Sequence, residues 1–133
     1  MTTSCRPSVL VADDNPVFRQ TLLRILEPAC DVVATAADGA EAVAHAGRFK
    51  PDVVVLDIMM PNMDGLEAGR RIKARYPCVK VIYVTATWDP ELRDEAFDVG
   101  ACAFFYKHQI VKELPATIAR LTKCRTTTGP FHG

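Results

Sequence analysis

The chain has 133 residues, enough for about one domain, and its 16 basic and 16 acidic side chains give a formal net charge of zero. This balance argues against non-specific binding to nucleic acid or to an anionic membrane surface. Because no apolar run approaches the ~20 residues of a membrane span and the first residues lack a secretory signal, we expect a cytoplasmic protein without membrane or direct nucleic-acid partners.

The first predicted unit is a strand, an acidic turn and a helix. The apolar run Val9–Ala12 predicts a short strand that ends in two carboxylates, Asp13 and Asp14. Asn15-Pro16 is typical of an N-cap followed by the first residue of a helix, which we expect to reach about Glu27. Two acidic side chains therefore follow the first strand directly.

Another helix-start signal, D-x-x-E, occurs twice further along the chain. A predicted strand over Asp31–Ala36 is followed by Asp38–Glu41, which indicates a capping box and an alanine-rich helix that ends near Gly47. Asp64–Glu67 repeats the signal and opens a helix to about Tyr76. Along the chain, these two helices enclose a strongly apolar run.

That run is Val53–Leu56, with four apolar residues in succession, three of them β-branched. The absence of alternation predicts a parallel strand that is buried on both faces. It ends in Asp57, and the turn signal Asp64-Gly65 follows shortly. Asp57 is then either a solvated strand end, which is the better interpretation of this residue alone, or a ligand-binding group at the carboxyl end of a strand.

The last two predicted strands also end in polar residues. Val79–Val84 predicts a strand that leads to Thr85, and residues 89–100 contain the next helix. Ala101–Tyr106 predicts the fifth strand, which ends at Lys107. Taken singly, the threonine is better explained as an ordinary strand residue, and the lysine is equally well explained as a solvated strand end.

A final helix is expected to begin around residues 111–112, which leaves Pro115 in its first turn, where no amide is needed. We expect a domain over residues 8–122, between an N-terminal tail of residues 1–7 and a C-terminal tail of residues 123–133. The five cysteines contain no C-x-x-C pair and indicate reduced thiols.

Strands and helices that alternate with short connections predict an α/β fold, a three-layer sandwich around a five-stranded parallel sheet. Of the common strand orders, 2-1-3-4-5 places strands one and three side by side. The carboxyl ends of parallel strands share one edge of the sheet. The residues expected to meet there are Asp13, Asp14, Asp57, Thr85 and Lys107.

Three carboxylates this close raise one another's pKa values unless a cation neutralises them. One lysine cannot balance them, and all-oxygen ligands with open positions favour Mg²⁺. A carboxylate beside a divalent cation and an ammonium group is a competent nucleophile toward phosphorus. The sequence therefore predicts phosphoryl chemistry at this edge, with Mg²⁺ as the cofactor.

In combination, four motifs resemble the receiver domain of two-component response regulators. They are D-D at 13 and 14, D-x-x-M-P-x-M-D-G from Asp57 to Gly65, T-A at 85 and 86, and Lys107 after an aromatic strand. The resemblance covers about Val9 to Leu121. It implies a flavodoxin-like fold and a phosphorylation-controlled switch in two-component signal transduction.

The resemblance implies that Asp57 accepts a phosphoryl group from the phosphohistidine of a sensor histidine kinase or from a phosphotransfer protein. Asp14 and Asp57 would bind Mg²⁺ together with the backbone carbonyl of Met59, and Asp13 would act mainly through water. The downstream partner would be an effector or an output domain missing from this chain, and a homodimer is a further expected assembly.

The resemblance also implies a switch. Lys107 would pair with the phosphoryl group, Thr85 would move to hydrogen-bond it, and Phe104 would turn inward as the family's switch aromatic. The family often has tyrosine at the position of Phe104, and many receivers have proline at the position of His108. Receivers of LuxR-type regulators often lack that proline, so this chain is similar to them.

As a receiver, the chain is expected not to be an enzyme, apart from catalysing its own phosphorylation and dephosphorylation. A haloacid-dehalogenase-like Mg²⁺-dependent phosphatase is the alternative, since it also uses an aspartyl nucleophile, but such enzymes typically carry a second acid where this chain has Met59. A nucleotide- or flavin-binding module is a third interpretation. It conflicts with Asp13–Pro16, which stands in place of a glycine-rich first turn.

Overall fold

The computed structural model describes residues 6–122; residues 1–5 and 123–133 of the two predicted tails lie outside the described residues. Five strands and five helices alternate along this part of the chain. They are β1 (Ser8–Ala12), α1 (Pro16–Leu26), β2 (Asp31–Ala36), α2 (Gly39–Phe49), β3 (Val53–Asp57), α3 (Gly65–Arg75), β4 (Lys80–Thr85), α4 (Pro90–Asp98), β5 (Ala103–Tyr106) and α5 (Ile110–Thr122). None of these helices is long and apolar enough to cross a membrane.

The strands form one parallel sheet in the order β2-β1-β3-β4-β5, which confirms the predicted architecture and strand order. β1 lies directly beside β3, with Val9 opposite Val53 and Ala12 opposite Leu56. The carboxyl ends of all strands therefore lie at the same edge of the sheet. The residues that follow β1 and those that end β3 come side by side there.

β3 is buried along its whole length, as its lack of alternation predicts. Val54 and Leu56 pack on one face of the sheet with residues of α2 and α3. Val53 and Val55 pack on the other face with residues of α1 and α5. Because burial of each valine or leucine contributes about 1.5–3 kcal/mol, β3 is a fixed support for Asp57 at its end.

α2 continues two residues beyond its predicted end near Gly47. The helix ends at Phe49, and Lys50 takes the left-handed backbone conformation that terminates it, with φ 48°. Gly47 instead permits a close approach, because a side chain at this position would collide with the hydroxyl of Tyr76, the residue after α3. The glycine reflects packing between α2 and α3 rather than a helix end.

α5 begins at Ile110, before the predicted start, and follows a 3₁₀ turn over Lys107–Gln109. Pro115 consequently lies in the second turn of the helix and not in the first. Ile110, Leu114 and Ile118 are buried along one face and hold the start of the helix against the sheet. This packing outweighs the one hydrogen bond that the proline cannot donate.

Candidate functional site

Four strand ends bring the predicted site residues together at one edge of the sheet. Asp13 follows β1, Asp57 ends β3, Thr85 ends β4 and Lys107 follows β5. Carboxylate oxygens of Asp13, Asp14 and Asp57 lie within 4.8 Å of one another. Asp13 is fully buried and Asp57 is 5% exposed, whereas Asp14 is exposed. The fold therefore gathers carboxylates that are far apart in the sequence.

Lys107 supplies positive charge to this cluster. Its Nζ lies 2.9 Å from Asp13 Oδ2 and 3.5 Å from Asp57 Oδ2. The same Nζ lies 4.1 Å from the centroid of the Phe18 ring, a cation–π contact from α1. In the sequence, the spacing of Phe18, Leu22, Ile25 and Leu26 predicts only that Phe18 lies on the apolar face of the first helix. Phe18 lies in the first turn of α1, shortly after Asp13 and Asp14, and this position could have indicated that it lies near the site.

Asp13 is held through both its side chain and its backbone. Its Oδ1 accepts a hydrogen bond from the Asn15 amide at 2.8 Å, and its carbonyl accepts one from Arg19 Nη1 at 2.6 Å. No residue from 6 to 122 donates a hydrogen bond to Asp13 Oδ2, although the Lys107 ammonium group offsets its charge. A buried carboxylate oxygen in this state suits a further electropositive ligand.

The hydrogen bonds to the Asp57 carboxylate are both long, and one of them comes from Lys107 Nζ at 3.5 Å to Oδ2. Asp57 Oδ1 accepts the other from the Met59 amide, at 3.3 Å. Burial raises the pKa of Asp57 to about 6, the Asp13 carboxylate adds to the rise, and Lys107 opposes it. The sequence attributes such a rise to repulsion between carboxylates, whereas burial is the larger cause. Asp57 is therefore mostly ionised at neutral pH but more basic than an ordinary aspartate.

Thr85 and Phe104 lie on neighbouring strands without being direct partners. Thr85 is fully buried, and its Oγ1 accepts a hydrogen bond from the Thr87 amide at 3.1 Å. Across the sheet, Thr85 pairs with Tyr106, and Phe104 pairs with Tyr83. The Phe104 ring contacts Tyr106 edge-on, with centroids 5.4 Å apart. Tyr106 thus links the two predicted switch residues, and the sequence misses it because it does not specify the β4–β5 register.

Trp88 is an exposed residue that contacts Tyr106. Its side chain is 74% exposed, and its ring centroid lies 4.8 Å from that of Tyr106. The Tyr106 ring also stacks on His108, with centroids 6.0 Å apart. Movement of Tyr106 would therefore change the surroundings of an exposed indole.

The donor set fits a magnesium ion. The candidate ligands are carboxylate oxygens of Asp13, Asp14 and Asp57, and Mg²⁺ binds one or two carboxylates while it keeps several waters. The exposed Asp14 leaves the site open to solvent, and the unfilled Oδ2 of Asp13 lies inside it. One lysine leaves this cluster with an excess of negative charge, which a divalent cation would offset.

Comparison with known proteins matches the chain to receiver domains. The family model of the response regulator receiver domain matches residues 9–119. The signal receiver domain of NarL from Mycobacterium tuberculosis is similar with a TM-score of 0.84 and 30% identity, over 89% of this chain and 97% of that chain. A chain of the CheX–CheY–BeF₃–Mg²⁺ complex from Borrelia burgdorferi is similar with a TM-score of 0.81 and 28% identity, over 86% and 87% of the two chains.

Curated relatives include enzymes. Protein-glutamate methylesterase/protein-glutamine glutaminase 4 of Myxococcus xanthus is 43% identical over 102 residues, which are 74% of this chain and 29% of that protein. The chain spans less than half the length of these methylesterases and of the transcriptional regulatory proteins that it also matches.

The expectation that the chain is not an enzyme is therefore wrong. Receiver sequences occur in methylesterases, so motifs at the sheet edge cannot exclude an enzymatic activity carried by another part of a longer protein. The alternative of a haloacid-dehalogenase-like phosphatase receives no support from the family match or from the similar structures.

Proposed function

The chain belongs to the family of response regulator receiver domains, which act in two-component signal transduction, and we propose that its Asp57 accepts the phosphoryl group. The observation that carries the proposal is the position of Asp57 at the end of the buried strand β3, with Lys107 Nζ 3.5 Å from its Oδ2. We propose residues 8–122 as the whole receiver unit. The chain matches relatives with different outputs, so the proposed role does not depend on the output of this protein.

The proposed step is a nucleophilic substitution at phosphorus. An Asp57 carboxylate oxygen forms a bond to phosphorus while the bond from phosphorus to the donor imidazole nitrogen breaks, and the electron pair of that bond stays on the imidazole. With its pKa raised to about 6, Asp57 is ionised at neutral pH and retains more basicity than an ordinary aspartate. Lys107 would neutralise charge on the phosphoryl oxygens as they approach.

The three carboxylates divide into different proposed roles toward Mg²⁺. Asp14 and Asp57 would bind the ion directly together with the Met59 carbonyl, whereas Asp13 would act mainly through water. This division is supported by the surroundings of Asp13, because its Oδ1 accepts from the Asn15 amide and its Oδ2 lies 2.9 Å from the Lys107 ammonium group, whereas Asp14 is exposed. A bound Mg²⁺ would neutralise charge on the transferring phosphoryl group.

Thr85 and Phe104 are proposed to transmit the phosphorylated state. Thr85 ends β4 next to the site, and its hydroxyl oxygen accepts a hydrogen bond from the Thr87 amide. Within residues 6–122 the hydroxyl proton forms no hydrogen bond, so it is available to a phosphoryl oxygen. A shift of Thr85 would alter its pairing with Tyr106, whose ring contacts both Phe104 and Trp88.

We propose a sensor histidine kinase or a phosphotransfer protein as the phosphodonor, and the cytoplasm as the compartment where they meet. An effector or an output domain would read the switched state, and we further propose that the chain forms a homodimer. Both kinds of output partner fit a domain that changes its surface without changing its fold.

Intact-mass analysis after treatment with acetyl phosphate and Mg²⁺ tests the proposal. The wild-type protein should gain the mass of one phosphoryl group, and Asp57→Asn should gain none. Asp98→Asn, which changes an exposed aspartate at the end of α4, is the matched control and should react as the wild type does. Equal gain by the Asp57→Asn variant would refute the assignment.

A further inference from the structure

The loop between β3 and α3, residues 58–64, is tied to the beginning of α2. Asn62 Nδ2 donates a hydrogen bond to Asp38 Oδ2 at 2.9 Å. The Gly39 amide donates a second hydrogen bond to the Met63 carbonyl at 3.1 Å. The loop that follows Asp57 is therefore attached to a helix on one face of the sheet as well as to its own strand.

Asp38 serves the helix and the loop with different oxygens. Its Oδ1 accepts from the Glu41 amide at 2.8 Å and caps α2, while its Oδ2 accepts from Asn62. These bonds, that of the Glu41 amide most strongly, hold the pKa of Asp38 below its usual range. Gly39 leaves no room for a side chain, because a Cβ there would collide with the Met63 carbonyl. The contact between helix and loop is thus close and specific.

Asn62 has a backbone that suits this contact. Its φ is 68°, in the left-handed region that asparagine and glycine tolerate best. Among residues 6–122, Lys50 is the other non-glycine residue with positive φ, at the opposite end of α2. In this conformation the Asn62 side-chain amide reaches Asp38. Asparagine suits the position because it tolerates a positive φ and also donates this hydrogen bond.

The middle of the loop depends on its two ends. On the strand side, the Ile58 amide bonds the Val84 carbonyl at 3.2 Å, and the Gly65 amide bonds the Ile58 carbonyl at 2.8 Å. Met59 lies between these anchors, is 58% exposed, and is held by its long amide bond to Asp57. Met59 therefore lies in a stretch that is anchored before it at Ile58 and after it at Asn62.

We propose that Asn62 and Asp38 are positioning residues that hold the Met59 carbonyl where it can contribute to Mg²⁺ binding. The inference rests on the proposed function, since it concerns the same acidic site. It assigns a role to the hydrogen bond between Asn62 of the β3–α3 loop and Asp38 at the beginning of α2. Both residues lie outside the carboxylate cluster. If loss of the Asn62–Asp38 hydrogen bond costs what one hydrogen bond typically contributes, Mg²⁺ affinity should fall by about twofold to tenfold.

The test is Mg²⁺ affinity by isothermal calorimetry, together with amide hydrogen exchange of Gly39 in chelator. Asn62→Gly keeps the left-handed backbone and removes the donor, so it should weaken Mg²⁺ binding and speed exchange at Gly39. Combining Asn62→Asp with Asp38→Asn exchanges donor and acceptor at constant charge. Because both residue types tolerate these positions, the exchanged pair should regain affinity and protection.

Lys50→Gly is the matched control for a glycine introduced at positive φ, and it should leave Mg²⁺ affinity unchanged. Wild-type affinity in Asn62→Gly would overturn the inference. So would a loss that the exchanged pair fails to restore, because the cause would then be backbone freedom. A wild-type protein that binds no Mg²⁺, or one whose affinity is unchanged by Asp57→Asn, would overturn the proposed site as well as the inference.

Discussion

Different interactions stabilise the two halves of the sheet edge at which the site lies. At the β1–β3 end, Asp13 and Asp57 are nearly buried and are fixed by charge, with Lys107 paired to both. At the β4–β5 end, contacts between aromatic rings dominate, from the half-buried Tyr106 outward to the exposed Trp88. The comparison indicates that chemistry belongs to the charged half and its readout to the aromatic half, so mutations should separate the two.

The largest expected effect is on the charged half. Lys107→Met removes the ammonium group that offsets Asp13 and leaves a buried carboxylate unpaired, which should cost about 3–5 kcal/mol of unfolding free energy. Urea denaturation in chelator measures this cost. Adding Asp13→Asn to the same variant should restore most of the loss, and the exposed Lys112→Met serves as the control. Equal small losses for both lysine variants would contradict a buried ion pair.

Asp57→Asn should raise the unfolding free energy, by less than Lys107→Met lowers it. Burial gives Asp57 a pKa of about 6 in the folded protein, above its ordinary value of 3.8. The folded state therefore holds the proton more tightly, and wild-type stability should fall as pH rises from 3.8 to about 6. Asp57→Asn should remove this fall and gain about 1–3 kcal/mol at pH 7 in chelator.

Mg²⁺ sharpens this prediction, because the cation offsets the same negative charge in the wild-type protein. The gain from Asp57→Asn, followed by urea denaturation at a series of pH values, should shrink when Mg²⁺ replaces the chelator. An identical gain under both conditions would show that Asp57 and the cation do not share a site.

Thr85→Ala is expected to act on the aromatic half and to leave the chemistry at Asp57 in place. The variant should still accept a phosphoryl group on Asp57, but the response beyond Thr85 should be reduced, since the hydroxyl that would contact the phosphoryl group is gone. NMR shift changes across residues 88–121 on beryllofluoride binding measure this response. Changes as large as those of the wild type would mean that Thr85 is only a strand residue.

Much of this division could be predicted from the sequence. The run Val53–Leu56 lacks alternation, so it specifies a doubly buried parallel strand, and the polar residues after the strands specify the shared edge. The strand order placed Asp57 beside Asp13 and Asp14, and the phosphoacceptor role of Asp57 stays a prediction from the resemblance. These features depend on local composition and on topology, which short connections restrict strongly.

The missed features depend on register and on packing across elements. The pairing of Thr85 with Tyr106 requires the β4–β5 register, and the Lys107–Phe18 contact joins residues from opposite ends of the chain. Gly47 looks like a helix end but accommodates the hydroxyl of Tyr76, the residue after α3. The output of the protein could not be predicted, because the same receiver motifs occur in relatives with unrelated activities.

The most direct test of the account locates the phosphorylated residue. Borohydride reduces an aspartyl phosphate to homoserine with release of phosphate, so peptide mass spectrometry after acetyl phosphate, Mg²⁺ and borohydride treatment identifies the modified position. We predict homoserine at position 57, dependent on Mg²⁺ and absent when Mg²⁺ is removed by chelator. Homoserine at position 13 or 14, or none anywhere under conditions that add a phosphoryl mass, would contradict the assignment of Asp57.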